Sequence, residues 1–82
     1  SKFIKKGVFQ SAQVVKDYQL TPREIEVLTH LPSGATAAAI GSLLFLTEAT
    51  VKTHLAAIYR KLGALNRAQA VSIALGDKLI NQ

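Results

Sequence analysis

The stretch "TEATVKTHLAAIYRKLG", Thr47 to Gly63, carries the residue types and spacing most capable of chemistry in this chain. At about 100° per residue, Val51, His54, Leu55, Ile58 and Leu62 fall on one face of a helix. The opposite face is centred on Ala49, Thr53, Ala56 and Arg60, with Lys52 and Ala57 on its flanks and Lys61 nearby. Such a surface is small in the middle and basic at its rim. It suits recognition rather than bond-making: cations reach phosphates, a threonine hydroxyl bonds to several bases, and an alanine methyl can meet a thymine methyl. The DNA major groove, ~12 Å wide, admits a helix with its side chains, and the N-terminal residues of such a helix do the reading. Here those are Ala49, Thr50, Lys52 and Thr53. The same residues also describe an ordinary solvated helix, since alanine is a good helix former and exposed cations are hydrated.

Other chemistries find less support. The acidic residues are Asp17, Glu24, Glu26, Glu48 and Asp77, and most have a local structural role. Glu24 fits a capping box, and Glu48 stands in a first helical turn, where the macrodipole favours an anion. His30 and His54 lie on different helices without a ligand set. His54, beside Val51 and Ile58, reads as a hydrogen-bonded core histidine. The string "RKLG" lacks a phosphate-loop pattern. We therefore expect no enzyme, no cofactor and no metal.

The formal charge of +5, ten basic residues against five acidic, points to a polyanion, either nucleic acid or an acidic membrane surface. Solubility alone would also account for it. Cysteine is absent, which removes disulfides and thiolate metal sites and fits a reducing, cytoplasmic location. Methionine is absent even from position 1, so the chain is expected to be a processed product or a segment of something longer. The longest uncharged stretch, "LPSGATAAAIGSLLFLT", contains Pro32, Ser33 and Gly34 and falls short of the ~20 residues a bilayer requires. The start has no sustained apolar region of the kind a signal peptide carries.

The punctuation predicts an all-α domain of four helices. Residues 1–19 read as a connecting segment, with a short helix around Ser11 to Lys16, and residues 20–82 as the domain. In "LTPREIEVLTHL", Thr21 is the N-cap, Pro22 the first helical residue and Glu24 the third, with Leu20 stapled to Ile25. The first helix should reach about Leu31, before Pro32 and Gly34. A second follows Thr36 through "AAAIGSLL", with Ile40 and Leu43 or Leu44 inward. After a short break at "FL", Thr47 caps the third helix and Gly63 ends it in the left-handed conformation. Asn66 and Gln69 open a fourth, "RAQAVSIALG", with Val71 and Ala74 inward. The second and third helices, joined by about three residues, describe a helix-turn-helix.

"LTPREIEVL" followed by "AAIGSLLFLTEATVKTHLAAIYRKLGALNRAQAV" resembles the DNA-binding domain of LuxR/FixJ/NarL-type bacterial transcription regulators. The likeness covers about Leu20 to Ile80. The proline-containing cap, "TVKTH", "YRKLG" and "NR" occur in order at the family's spacing. The resemblance implies base reading by Lys52, Thr53 and Ala56, with Ala49 on the same face. It implies phosphate contacts from Thr47, Thr50, Arg60, Lys61 and Arg67. It also implies a homodimer through the fourth helix, for which Ala68, Ser72 and Leu75 are the candidates. Two departures stand out. "AAA" at 37–39 and Leu43 occupy places usually charged, and Ala56 lacks the long side chain that relatives often carry. Preference would then rest on Lys52, Thr53 and DNA shape. "KKGVFQS" resembles the segment that follows a receiver domain. That implies a two-component response regulator under a sensor kinase, with RNA polymerase among its partners. A quorum-sensing regulator with an acyl-homoserine-lactone domain is the alternative within the family, and a protein-interaction module is the alternative outside it.

Overall fold

The computed structural model describes residues 17–81; the helix expected around Ser11 to Lys16 lies outside them. Four helices follow in order: α1 (Pro22–Thr29), α2 (Ala37–Leu44), α3 (Glu48–Leu62) and α4 (Arg67–Gly76). The described residues contain no strand. Each helix starts where the sequence provides a cap. Thr21, Thr36, Thr47 and Asn66 each accept a hydrogen bond from the amide three residues on. Each such bond satisfies an amide that the helix itself leaves unpaired, a contribution of about 1 kcal/mol. At α1 the reciprocal bond is also present, from the Thr21 amide to Glu24 Oε1 at 2.9 Å. At α4 the reciprocal bond is displaced by one residue: Gln69 Oε1 accepts from the Leu65 amide, 2.7 Å, rather than from Asn66.

Three helix ends share one device. Phe45, Gly63 and Lys78 have φ of 61°, 70° and 58°. Around them the amides of Leu46, Ala64 and Leu79 donate to the carbonyls of Gly41, Tyr59 and Ala74, at 2.8, 2.9 and 2.8 Å. This is the six-to-one closure that left-handed helix ends allow. The first helix ends differently, and two residues earlier than expected. The amides of His30 and Leu31 donate to Val27 and Leu28, both at 3.1 Å, so the chain tightens to three-residue turns. Pro32 disfavours the helical conformation at the residue before it, which accounts for the early stop.

The core is built on α3. Val51, Ile58 and Leu62 of α3 meet Val27, Leu28 and Leu31, then Ile40 of α2, Ala70 and Ala74 of α4, and Ile80 of the tail. Each large side chain buried here contributes about 1.5–3 kcal/mol. The open choice between Leu43 and Leu44 is resolved, and two other inward assignments change. Leu44 packs against the core while Leu43 is 57% exposed. Ala70 joins Ala74 as the buried pair on α4, and Val71 is only half-buried. Alanines at these two places let α4 come close to α3. His54, expected in the core, is half-buried, with no hydrogen bond to its ring among the described residues. It lies about 60° round the helix from Val51, which puts it at the edge of the apolar stripe.

Leu20 and Ile25, the expected staple, line one shallow cavity together with Tyr18 and Leu79. Tyr18 donates to Asp77 Oδ2 at 2.6 Å, tying the incoming segment to the end of α4. No helix among the described residues is long and apolar enough to cross a membrane.

Gly76 closes α4 without a positive φ, and a Cβ built there meets nothing within 4 Å. Gly76→Ala should therefore stabilise the fold by about 0.5 kcal/mol, because the alanine chain has less freedom to lose. Urea titration would show a higher midpoint. A lower one would mean that the last turn of α4 does not hold a helical conformation in solution.

Candidate nucleic-acid interface

The third helix combines a fixed side and a free side. Val51 and Ile58 are fully buried and Leu62 nearly so, which sets the rotation of α3 about its axis. Ala49, Lys52, Thr53, Ala56 and Arg60 are all exposed. Burial of one stripe thus presents the other, as the helical period requires.

Hydroxyl geometry defines what this face can offer. Thr47 Oγ1 accepts from the Thr50 amide at 3.1 Å and lies 2.9 Å from Thr50 Oγ1. One hydroxyl proton is shared between the two threonines, leaving the other free to donate to an anion. Thr53 donates its hydroxyl to the Ala49 carbonyl at 3.1 Å. Its oxygen lone pairs then remain, making Thr53 an acceptor for an amino group, with its methyl available to an apolar edge. Lys52 pairs with Glu48 Oε2 at 3.3 Å, the two side chains 66% and 54% exposed. A pair so open to water contributes only ~0.3–0.5 kcal/mol, so Lys52 leaves Glu48 readily for a stronger anion. Arg60 has no ion-pair partner among the described residues.

Two expected phosphate ligands are held elsewhere. Lys61 is drawn inward: its Nζ lies 2.7 Å from Glu24 Oε1 and 3.1 Å from the Gln19 carbonyl, and its side chain is 25% exposed. Arg67 directs Nη2 and Nε onto the Leu31 carbonyl, at 2.8 and 3.3 Å, the same oxygen that accepts from the Gly34 amide at 3.0 Å. Both are employed in holding the fold together. Glu24 itself is buried. Burial pushes its carboxyl up, but the Lys61 hydrogen bond, the Thr21 amide and the charges of Lys61 and His54 together leave it below the ordinary glutamate value. A lowered folded value means stability that is present above the unfolded value and lost as pH falls through the folded one.

On α4, Ala68 and Ser72 are exposed and Leu75 is half-buried, packed in part on the core. Leu65, just before α4, is 85% exposed. Sequence reasoning missed two features: Leu65, and Gly41, which is buried where α2 meets the turn. A glycine inside the otherwise helical "AAAIGSLL" was the available signal, since such a residue costs about 1 kcal/mol relative to alanine unless close packing needs it.

Comparison with known proteins agrees with this geometry. Residues 18–74 match the family described as bacterial regulatory proteins, luxR family. The transcriptional activator protein BjaR1 of Bradyrhizobium diazoefficiens is 48% identical over 63 residues, 77% of this chain and 26% of that protein. The HTH-type quorum sensing-dependent transcriptional regulator RpaR of Rhodopseudomonas palustris is 48% identical over 66 residues, 80% of this chain and 27% of its own length. Among solved structures, the response regulator ChrA of a heme-sensing two-component system superposes with a TM-score of 0.71 at 39% identity, over 96% of this chain and 35% of that one. The chain thus spans about a quarter to a third of the length of these relatives. The family is one of transcription regulators rather than a class of enzymes. With its helix-turn-helix and the free face of its third helix, the chain belongs to the luxR family of bacterial regulatory proteins, as a DNA-binding transcription-regulator domain.

Proposed function

We propose that α3 enters the major groove of double-stranded DNA and reads its sequence there. The observation that carries this reading is the pairing, on one helix, of a fully buried stripe with an exposed face of Ala49, Thr53 and Ala56 flanked by Lys52 and Arg60. Lys52 donates to guanine O6 or N7. Thr53 accepts from an adenine or cytosine amino group, and the methyls of Ala49 and Ala56 meet thymine. Thr47, Thr50 and Arg60 hold phosphates. Lys61 and Arg67 fall outside the phosphate set, because Glu24 and the Leu31 carbonyl occupy them.

Duplexes selected from a random pool supply the operator, and salt titration supplies the test. With Arg60 on a phosphate and Lys52 bringing its charge into the groove, about two phosphate charges are offset, and log Kd should change with log salt by a slope of about 2. Thr53→Ala should reduce discrimination among operator variants by several-fold and leave nonspecific affinity in place, the pattern of a lost base contact. Salt-insensitive binding with no duplex preference would instead favour a protein-interaction module.

The homodimer forms through the exposed stripe of α4, Ala68 and Ser72 with the outer part of Leu75. Since Leu75 also packs inward, Ser72→Glu is the cleaner probe. It should abolish cooperative occupation of paired half-sites while single half-site affinity shifts only slightly. Cooperativity that survives would exclude this face.

The parent protein is read as a phosphorylation-controlled response regulator with residues 1–19 as connector, supported by the extent of the likeness to ChrA. A sensor kinase and RNA polymerase are then partners. The 48% identity to the quorum sensing-dependent regulator RpaR favours a second reading, an acyl-homoserine-lactone-responsive protein. Operator binding by the full-length protein, with a phosphodonor or with such a lactone, separates the two.

A further inference from the structure

We propose that Glu24 and Lys61 are positioning residues for DNA reading: they form a strut that sets the tilt of α3 and joins it to the incoming chain at Gln19. This rests on the proposed reading of α3. Glu24 is the one buried charged residue among the described residues, 5% exposed. Its Oε1 accepts from two elements at once, the Thr21 amide at 2.9 Å and Lys61 Nζ at 2.7 Å. The same ammonium donates to the Gln19 carbonyl at 3.1 Å, presented by a residue at φ 59°. Three stretches of chain therefore meet at one ion pair: the incoming segment, the first turn of α1 and the last turn of α3.

A capping box alone does not require this arrangement. Its glutamate needs only the N-cap amide and works at the surface. Burying the carboxylate removes hydration that a cation must replace, and such a pair gains little stability over apolar packing. What it adds is direction, a fixed distance between α1 and the outer end of α3. The leverage is considerable. Lys61 lies 8 to 12 residues beyond Thr53 and Ala49, about 12–18 Å along the axis. A rotation of about 4° at the strut moves the reading residues by roughly 1 Å, enough to misplace hydrogen bonds to base edges. At the other end of α3 the helix is held by the close approach of Leu46 to Gly41.

The test uses Lys61→Met, Glu24→Gln, their combination and Lys61→Arg, each measured on the operator and on a scrambled duplex. The ratio of the two affinities is the readout, since a uniform charge effect cancels in it. Lys61→Met and Glu24→Gln should each lower the ratio about three- to tenfold. The double variant should be no worse than either single one, and Lys61→Arg should restore most of the ratio. The salt slope of Lys61→Met should match that of the wild type. A slope shallower by about one, with the ratio intact, would make Lys61 a phosphate ligand and overturn the strut. An intact ratio with only a lower melting temperature would overturn it as well, leaving a purely structural pair. Residual dipolar couplings of the free protein judge the strut independently of DNA: α3 should reorient against α1 in Lys61→Met, and unchanged couplings count against the proposal. A wild-type chain without duplex preference would refute groove reading, while the couplings would still decide whether the strut exists.

Discussion

Gly41→Ala is expected to break the link between α2 and α3. A Cβ at position 41 would stand 2.5 Å from the Leu46 carbonyl oxygen and 3.4 Å from its carbon. Neither is the far end of a flexible side chain. The Leu46 amide is already bonded back to the Gly41 carbonyl at 2.8 Å, so the turn cannot move away without losing that bond. Forcing a methyl into such a contact costs about 2–3 kcal/mol, and a domain of this size then melts roughly 10–20 °C lower. The functional loss should be larger still, because Leu46 immediately precedes Thr47, the cap of α3. Operator affinity measured well below the melting temperature should fall at least tenfold. Circular dichroism melts and operator titration check the two parts separately. A variant with wild-type melting and wild-type binding would mean that the turn accommodates a side chain, and that the close approach positions nothing.

Ile58→Ala attacks the same helix from its buried side. Ile58 is fully enclosed, and removal of its outer carbons leaves a cavity lined by a core that cannot readily collapse. Such truncations cost about 2–5 kcal/mol. An 82-residue chain has about 4–12 kcal/mol in total at the usual per-residue stability, so the loss takes a large share of the whole. The urea midpoint should fall sharply with little change in slope, the signature of lost stability without altered compactness. DNA discrimination of the fraction still folded should change less than in Gly41→Ala, because the turn and the strut remain. A loss below ~1 kcal/mol would mean that α3 is less firmly seated than its burial indicates.

These two residues differ in how they could be known in advance. Ile58 is legible from spacing: with Val51 and Leu62 it repeats on one face, and hydrophobic period alone turns it inward. The same reasoning exposes Ala49, Thr53 and Ala56, so the free face of α3 was visible without coordinates. Between Leu43 and Leu44 the period does not choose, since both lie near the inward stripe of a short helix, and the packing of α2 on the core selected Leu44. For His54 the period placed the residue near the stripe but could not tell that the edge of α3 lies open there.

By itself the sequence determined the four helices, their starts, the short break at Phe45 and Leu46 and the end at Gly63, together with the free face of α3. Caps, left-handed closures and helical periods act within a few residues, so local residue types decide them. Tertiary structure alone decided which cations are engaged within the fold. Arg60 and Lys61 are neighbours of like charge, yet Arg60 is free because nothing acidic approaches it among the described residues, while Lys61 meets Glu24, 37 positions earlier. Arg67 is taken by the Leu31 carbonyl, 36 positions away, and Gly41 is constrained by a backbone oxygen that arrives only when the turn closes. Hydrogen bonds and steric contacts fall off within a few ångströms, and no pattern along the chain encodes which distant groups come within that range; the packing of α1, α2 and α4 around α3 does.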